Sequence, residues 1–125
     1  MIIPFNNKTK SFKSIITIIN PIKPHLKIEI EALWDTGAVT STVPEYYAKL
    51  LQLQSIGGVL TKGNNGACYQ NRHFANFELD GQKITIFPNS NYLDFALIGM
   101  DIISKGETCI KKNNNGILTM YFDFV

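Results

Sequence analysis

The residues Asp35-Thr36-Gly37-Ala38 bring an acid, a hydroxyl and a glycine together directly after the apolar stretch Ala32-Leu33-Trp34. A glycine lets backbone approach the acid closely, or lets the chain turn where a side chain would clash. The threonine hydroxyl can bond to neighbouring backbone and fix a loop. An aspartate held this way is a candidate for acid–base work. Taken alone, the triplet is also an ordinary strand ending in an Asx-type turn. A second constellation follows, with its glycine 64 residues after Asp35: Ala96-Leu97-Ile98-Gly99-Met100-Asp101, an apolar run, a glycine and an acid.

The two segments must be positioned by neighbouring elements, and the chain supplies them. Ser11 to Ile19 reads as a strand, ended by Pro21 and Pro24. From His25 to Trp34, Leu26, Ile28 and Ile30 alternate with Lys27, Glu29 and Glu31, the pattern of a half-buried strand leading to Asp35. The segment Val43 to Leu53 is predicted as a helix, with Pro44 in its first turn and Tyr47, Leu50 and Leu51 on one face. Gly57-Gly58 is expected to break the chain after it. Hairpins are expected across Gly63-Asn64-Asn65-Gly66, across Asp80-Gly81 and across Asn113 to Gly116. Leu93 to Ile98 reads as a buried strand, and Asp101 as the cap of a short helix running to Lys105 and ended by Gly106. Short strands with one or two helices predict a mainly β chain closed into a small barrel.

Composition narrows the function. The 125 residues suffice for one domain, residues 1–125, with one core. A net charge of +2 without a basic cluster argues against a nucleic-acid partner. Cys68 and Cys109 lack C-x-x-C spacing, and His25 and His73 stand apart, so no metal site is expected. The cysteines read as reduced, the residues after Met1 lack the apolar core of a signal peptide, and a cytoplasmic location is the expectation. No apolar run has the roughly 18 residues a membrane helix needs, so no membrane partner is expected.

Asp35-Thr36-Gly37-Ala38, followed downstream by Leu97-Ile98-Gly99-Met100-Asp101, resembles the retropepsin-like aspartic proteases, single-domain homodimeric relatives of pepsin. The resemblance covers about residues 12 to 122 and is specific only at the two motifs. It implies a small closed β-barrel with a short helix after the active-site loop and a short C-terminal helix. It also implies an aspartic endopeptidase acting on an extended polypeptide, with no cofactor. Amide hydrolysis needs a base to activate water and an acid to protonate the leaving nitrogen. Two close carboxylates sharing one proton supply both. With one Asp-Thr-Gly in this chain, the second carboxylate would come from another copy across a two-fold axis.

For single residues, the resemblance makes Asp35 the catalytic carboxylate. Thr36 would bond across the dimer axis, Gly37 would offer its carbonyl to substrate, and Ser41 or Thr42 would support the loop from behind. Gly99 would let the second apolar segment pack tightly. The hairpin around Gly63, Asn64, Asn65 and Gly66 would be a flap, with Tyr69 either facing the cleft or packed in the core. The terminal segments Phe12 to Ile19 and Ile117 to Phe124 could build much of the dimer interface. Ala38 replaces the serine common in pepsin-like enzymes. The loss of that donor to the charged carboxylate implies activity at less acidic pH. Val39 and Met100 stand where many viral members carry a paired acid and arginine, so that pair is absent. The competing readings are a catalytically silent dimerisation or peptide-binding module on the same fold, and an unrelated β-barrel binder in which Asp-Thr-Gly is only a turn.

Overall fold

The computed structural model describes residues 1–63 and 66–125, with the side chains at positions 59, 61–63 and 68 outside that description. In chain order the strands are β1 (Ile2–Asn6), β2 (Ser11–Ile19), β3 (Lys27–Trp34), β4 (Thr42–Pro44), β5 (Ser55–Gly63), β6 (Gly66–His73), β7 (Ala75–Leu79), β8 (Gln82–Ile86), β9 (Asn89–Asn91), β10 (Ala96–Ile98), β11 (Gly106–Lys112) and β12 (Leu118–Phe124). Helix α1 (Glu45–Leu50) follows β4, and α2 (Met100–Ile103) follows β10. The molecule is mainly β, as its many Ile, Phe and Tyr residues imply.

The strands pair in the order β11-β12-β1-β2-β3-β10-β4-β9-β6-β5, with the β7–β8 hairpin attached to β2. The sheet is not closed: no pairing among the described residues joins β11 to β5, so the expected closed barrel does not follow from the pairing. β2 is shared among three partners. Its residues 13–19 pair with β3, while Phe12 and Ser11 turn to β1 and residues 17–19 take β7 on the other side. The long strand is thus used to branch the sheet.

Inside the sheet lie Ile16 and Ile18 of β2, Ile30, Ala32 and Trp34 of β3, Phe77 and Leu79 of β7, Ile98 of β10, and Met120 and Phe122 of β12, all buried. Their alternation with exposed neighbours such as Glu29 and Glu31 is the period of two that a half-buried strand requires. Asp80 and Gly81 both have positive φ, 52° and 80°, which gives the β7–β8 hairpin the tight turn its sequence specifies.

Four further expectations are corrected. The helix begins at Glu45, because Thr42–Pro44 is captured as a strand between β10 and β9. It stops at Leu50, where Gln52 takes a φ of 54°, and its buried residue is Ala48 while Leu50 is exposed. Gly57 and Gly58 do not break the chain; they sit within β5, at an irregularity in its register against β6. The strand expected from Leu93 shortens to Ala96–Ile98, because Asn91 holds the preceding loop by accepting from the Leu93 N–H at 2.8 Å and donating to the Phe95 carbonyl at 3.2 Å. The first strand, β1, lay in a segment with no clear alternation and was not expected. Among the described residues no helix is long and apolar enough to cross a membrane.

Candidate active site

Strands β3 and β10 run parallel and adjacent, with Ala32, Leu33 and Trp34 opposite Ala96, Leu97 and Ile98. The two motifs that are 64 residues apart in sequence therefore end side by side. The ladder continues one step further, as the Asp35 N–H donates to the Ile98 carbonyl at 2.9 Å. Asp35 thus leaves the sheet from a fixed backbone position with its side chain partly exposed. Its Oδ1 accepts the Gly37 N–H at 2.9 Å, and its carbonyl accepts the Ala38 N–H at 3.2 Å. That is an Asx turn closing on itself, with the second carboxylate oxygen left outside it. Thr36 and Gly37 are exposed at the tip of this loop.

The loop is locked from behind by the second motif. The Ala38 carbonyl accepts the Met100 N–H at 2.8 Å, and the Val39 carbonyl accepts the Asp101 N–H at 3.1 Å. Ser41 is fully buried. Its hydroxyl donates to Asp101 Oδ1 at 2.6 Å and accepts the Gly99 N–H at 2.9 Å, while its own N–H lies 3.0 Å from both Asp101 oxygens. Gly99 is where the two segments come closest. A Cβ there would stand 2.8 Å from the Ala38 carbonyl oxygen and 2.8 Å from the Thr40 carbonyl carbon, both backbone atoms that cannot swing aside. Of Ser41 and Thr42, the former makes these bonds behind the loop, while the Thr42 hydroxyl accepts from the Asn91 amide.

Asp101 is not the helix cap expected of it. Gly99 occupies the N-cap of α2, Asp101 lies in the first turn, and its carboxylate turns across to Ser41. The sequence showed an acid two residues after a glycine, but its partner lies 60 residues away and carries no pattern.

Gly63 and Gly66 end the strands of the β5–β6 hairpin, and Asn64 and Asn65 lie outside the described residues. Tyr69 is not a core residue: it is 70% exposed and its ring lies over Gly58, where a Cβ would sit 1.8 Å from the ring carbon Cε1. Leu60, its cross-strand partner, is also exposed. No sequence signal distinguished a group at the other end of this hairpin. His73 is buried, its Nε2 lies 2.7 Å from the Ser90 hydroxyl, and Glu45 Oε2 stands 3.9 Å from the same nitrogen. Burial pushes the His73 pKa down, and the Glu45 charge opposes that in part. Among the described residues no cluster of three or more His, Cys, Asp or Glu side chains is arranged to hold a metal.

The terminal strands are occupied within the chain. β12 pairs with β1 on one side and β11 on the other, and β2 is paired along both edges. Exposed apolar side chains are found instead beside the Asp35 loop, at Val39 and Met100, at Ile2 and Ile110 of the terminal strands, and at Val125 after β12.

No family model matches the sequence, and no curated protein matches it either. Solved structures do. An EIAV protease complexed with the inhibitor HBY-793 superposes with a TM-score of 0.64 at 20% identity, covering 79% of this chain and 90% of that one. A retropepsin-like aspartic protease from Rickettsia conorii gives a TM-score of 0.63 at 16% identity over 96% of this chain and 88% of the other. The Simian Foamy Virus (mac) protease in solution gives 0.54 at 20% identity over 73% of this chain and 92% of its own. The chain therefore has the fold of the retropepsin-like aspartic proteases.

Proposed function

We propose that the protein is an aspartic endopeptidase, residues 1–125 acting as one domain, that hydrolyses an extended polypeptide as a homodimer. The observation that carries this reading is the presentation of Asp35. Its backbone is fixed by the β3–β10 ladder, and one carboxylate oxygen accepts the Gly37 N–H. Two such groups facing each other across a two-fold axis would share one proton, because their mutual repulsion separates the two ionisation steps. The ionised member takes a proton from water as the water attacks the peptide carbonyl. The protonated member polarises that carbonyl and later supplies the proton to the leaving nitrogen.

In this reading Thr36, whose side chain makes no hydrogen bond among the described residues, is available to the partner's loop. The Gly37 carbonyl addresses the substrate backbone, and Ala38, Ser41 and Gly99 hold the loop. Val39, 80% exposed, and Met100 supply apolar surface next to the axis for the second copy. The β5–β6 hairpin is the flap, with Leu60 and Tyr69 as exposed cross-strand neighbours able to grip an extended peptide. The free thiol of Cys109 suits a cytoplasmic setting.

The test is a peptide library incubated with the wild type and with Asp35→Asn. Cleavage by the wild type and its loss in a folded, dimeric Asp35→Asn protein are the expected outcomes. A library left intact by the wild type at every pH would favour a peptide-binding module on the same fold, and undiminished cleavage by the variant would remove Asp35 from the chemistry.

A further inference from the structure

His73 occupies the last position of β6, where the β5–β6 hairpin meets the body of the molecule. Two elements converge on its ring, and its backbone is tied down beside them. Its backbone N–H donates to the Pro88 carbonyl at 2.9 Å, just before β9, and Ser90 of β9 meets its Nε2. Glu45, the first residue of α1, brings a carboxylate to the same nitrogen. The junction reaches the Asp35 loop through one further bond, from the Asn89 N–H to the Ser41 carbonyl at 3.2 Å.

This ring is 5% exposed, and its polar atoms are unequally served. A proton on Nε2 suits both the Ser90 hydroxyl and the Glu45 carboxylate. Nδ1 is buried and has no hydrogen-bond partner among the described residues. A neutral ring leaves only a lone pair there, which is tolerable. A protonated ring places a buried N–H donor at Nδ1 with no acceptor, and an unmet buried donor is expensive. The surrounding charges do not remove that cost. From α1, Glu45 Oε2 is itself buried without a hydrogen bond among the described residues, and Lys49 stands 3.8 Å from the other oxygen. From β9, Asn89, Ser90 and Asn91 carry no charge. On β6 itself, the Arg72 side chain is turned to Asn89, with Nε 3.3 Å from its Oδ1.

We propose that His73 is a proton-sensitive latch for the base of the β5–β6 hairpin: neutral, it holds β6 against β9 and α1; protonated, it favours conformations in which β6 parts from them and the ring reaches water. The sign follows from linkage. A buried histidine that resists protonation contributes stability that is fully present above its ordinary pKa of 6.5 and is lost as pH falls to its lowered folded-state value. The consequence for catalysis rests on the reading of this hairpin as the flap. Acidification would then loosen the flap base.

The experiment combines imidazole NMR with amide hydrogen exchange from about pH 7.5 to about pH 5. The chain has two histidines, so His25→Gln assigns the signals. The expected result is a His73 midpoint below 6.5. Alongside it, protection of the His73 and Asn89 amides falls by up to about tenfold per pH unit between the ordinary value and that midpoint, relative to amides in the β2–β3 ladder. His73→Gln should abolish this pH dependence. Glu45→Gln, which leaves the ring in place, should move the His73 midpoint further down, because the carboxylate that favours the charged ring is gone. A His73 midpoint at or above 6.5, or protection that is flat with pH in the wild type, would overturn the proposal. Neither readout requires cleavage. A protein that cuts no peptide yet shows this exchange behaviour contradicts the peptidase reading and supports the latch.

Discussion

The loop after β3 and the junction at the end of β6 are both built around a buried serine, a carboxylate and short hydrogen bonds, yet they are satisfied to different degrees. At the loop, Ser41 gives and receives, Asp101 accepts from both the hydroxyl and the backbone N–H, and Gly99 completes the set. At the junction, Ser90 meets His73, but Glu45 Oε2 and His73 Nδ1 are buried without hydrogen-bond partners among the described residues. A fully satisfied polar network has one good arrangement and resists displacement. A partly satisfied one stores cost and yields first. The difference separates a fully bonded platform, on which the carboxylate stands, from a partly bonded junction, from which the hairpin would swing in the proposed reading.

The contrast can be broken most severely at Asp101. Asp101→Ala leaves the buried Ser41 N–H and hydroxyl without their acceptor. Hydrogen bonds to a charged group are worth roughly 1.5–3 kcal/mol each, so a loss of about 3 kcal/mol in unfolding free energy is expected from urea titration. A loss under about 0.5 kcal/mol, the level of an ordinary surface change, would mean the clamp contributes little. Gly99→Ala comes next. Its Cβ would stand 2.8 Å from backbone of the loop, and overpacking of this kind costs about 1–3 kcal/mol. Because the atoms that must move carry Asp35, cleavage should fall by more than stability alone explains, a result read from turnover at a temperature where the variant is fully folded. Ser90→Ala deletes the matching hydroxyl at the junction and should cost about 1 kcal/mol, the net value of one neutral hydrogen bond. A larger loss there than at Asp101 would reverse the comparison.

These regions were unequally legible in the sequence. The strand character of the residues leading to Trp34 and to Ile98 was legible from their apolar patterns, but their parallel pairing, which joins segments far apart in the chain, was not. The Asp80-Gly81 turn was legible because only a few residues accept positive φ at adjacent positions. The Ser41–Asp101 clamp and the His73 junction were not, because each joins residues far apart in the chain through side chains that have no period. Pro44 misled for a related reason: it suits a first helical turn, but sheet pairing of Thr42–Pro44 outweighed that preference. Closure of the sheet was beyond local patterns as well, since it depends on whether strands distant in sequence, β11 and β5, meet.

The smallest expected effect sharpens the platform's chemistry. Ala38 is half-buried and its carbonyl is committed to the Met100 N–H. A hydroxyl there could donate to the charged form of Asp35 and favour it. In Ala38→Ser the pH optimum of cleavage should move toward acid by up to about one unit, since roughly 1.4 kcal/mol corresponds to one pKa unit. A shift toward alkaline pH in a folded dimer would mean that position 38 does not act on the carboxylate as argued.

The claim on which the account turns is that each copy contributes one carboxylate to a shared site, and subunit mixing tests it directly. Wild type and Asp35→Asn chains are combined in varying ratio at fixed total concentration, allowed to exchange, and assayed on one cleaved peptide. If the site is shared, mixed dimers are inactive, and activity per wild-type chain falls in proportion to the wild-type fraction. Activity per wild-type chain that stays constant as the inactive partner is added would contradict it.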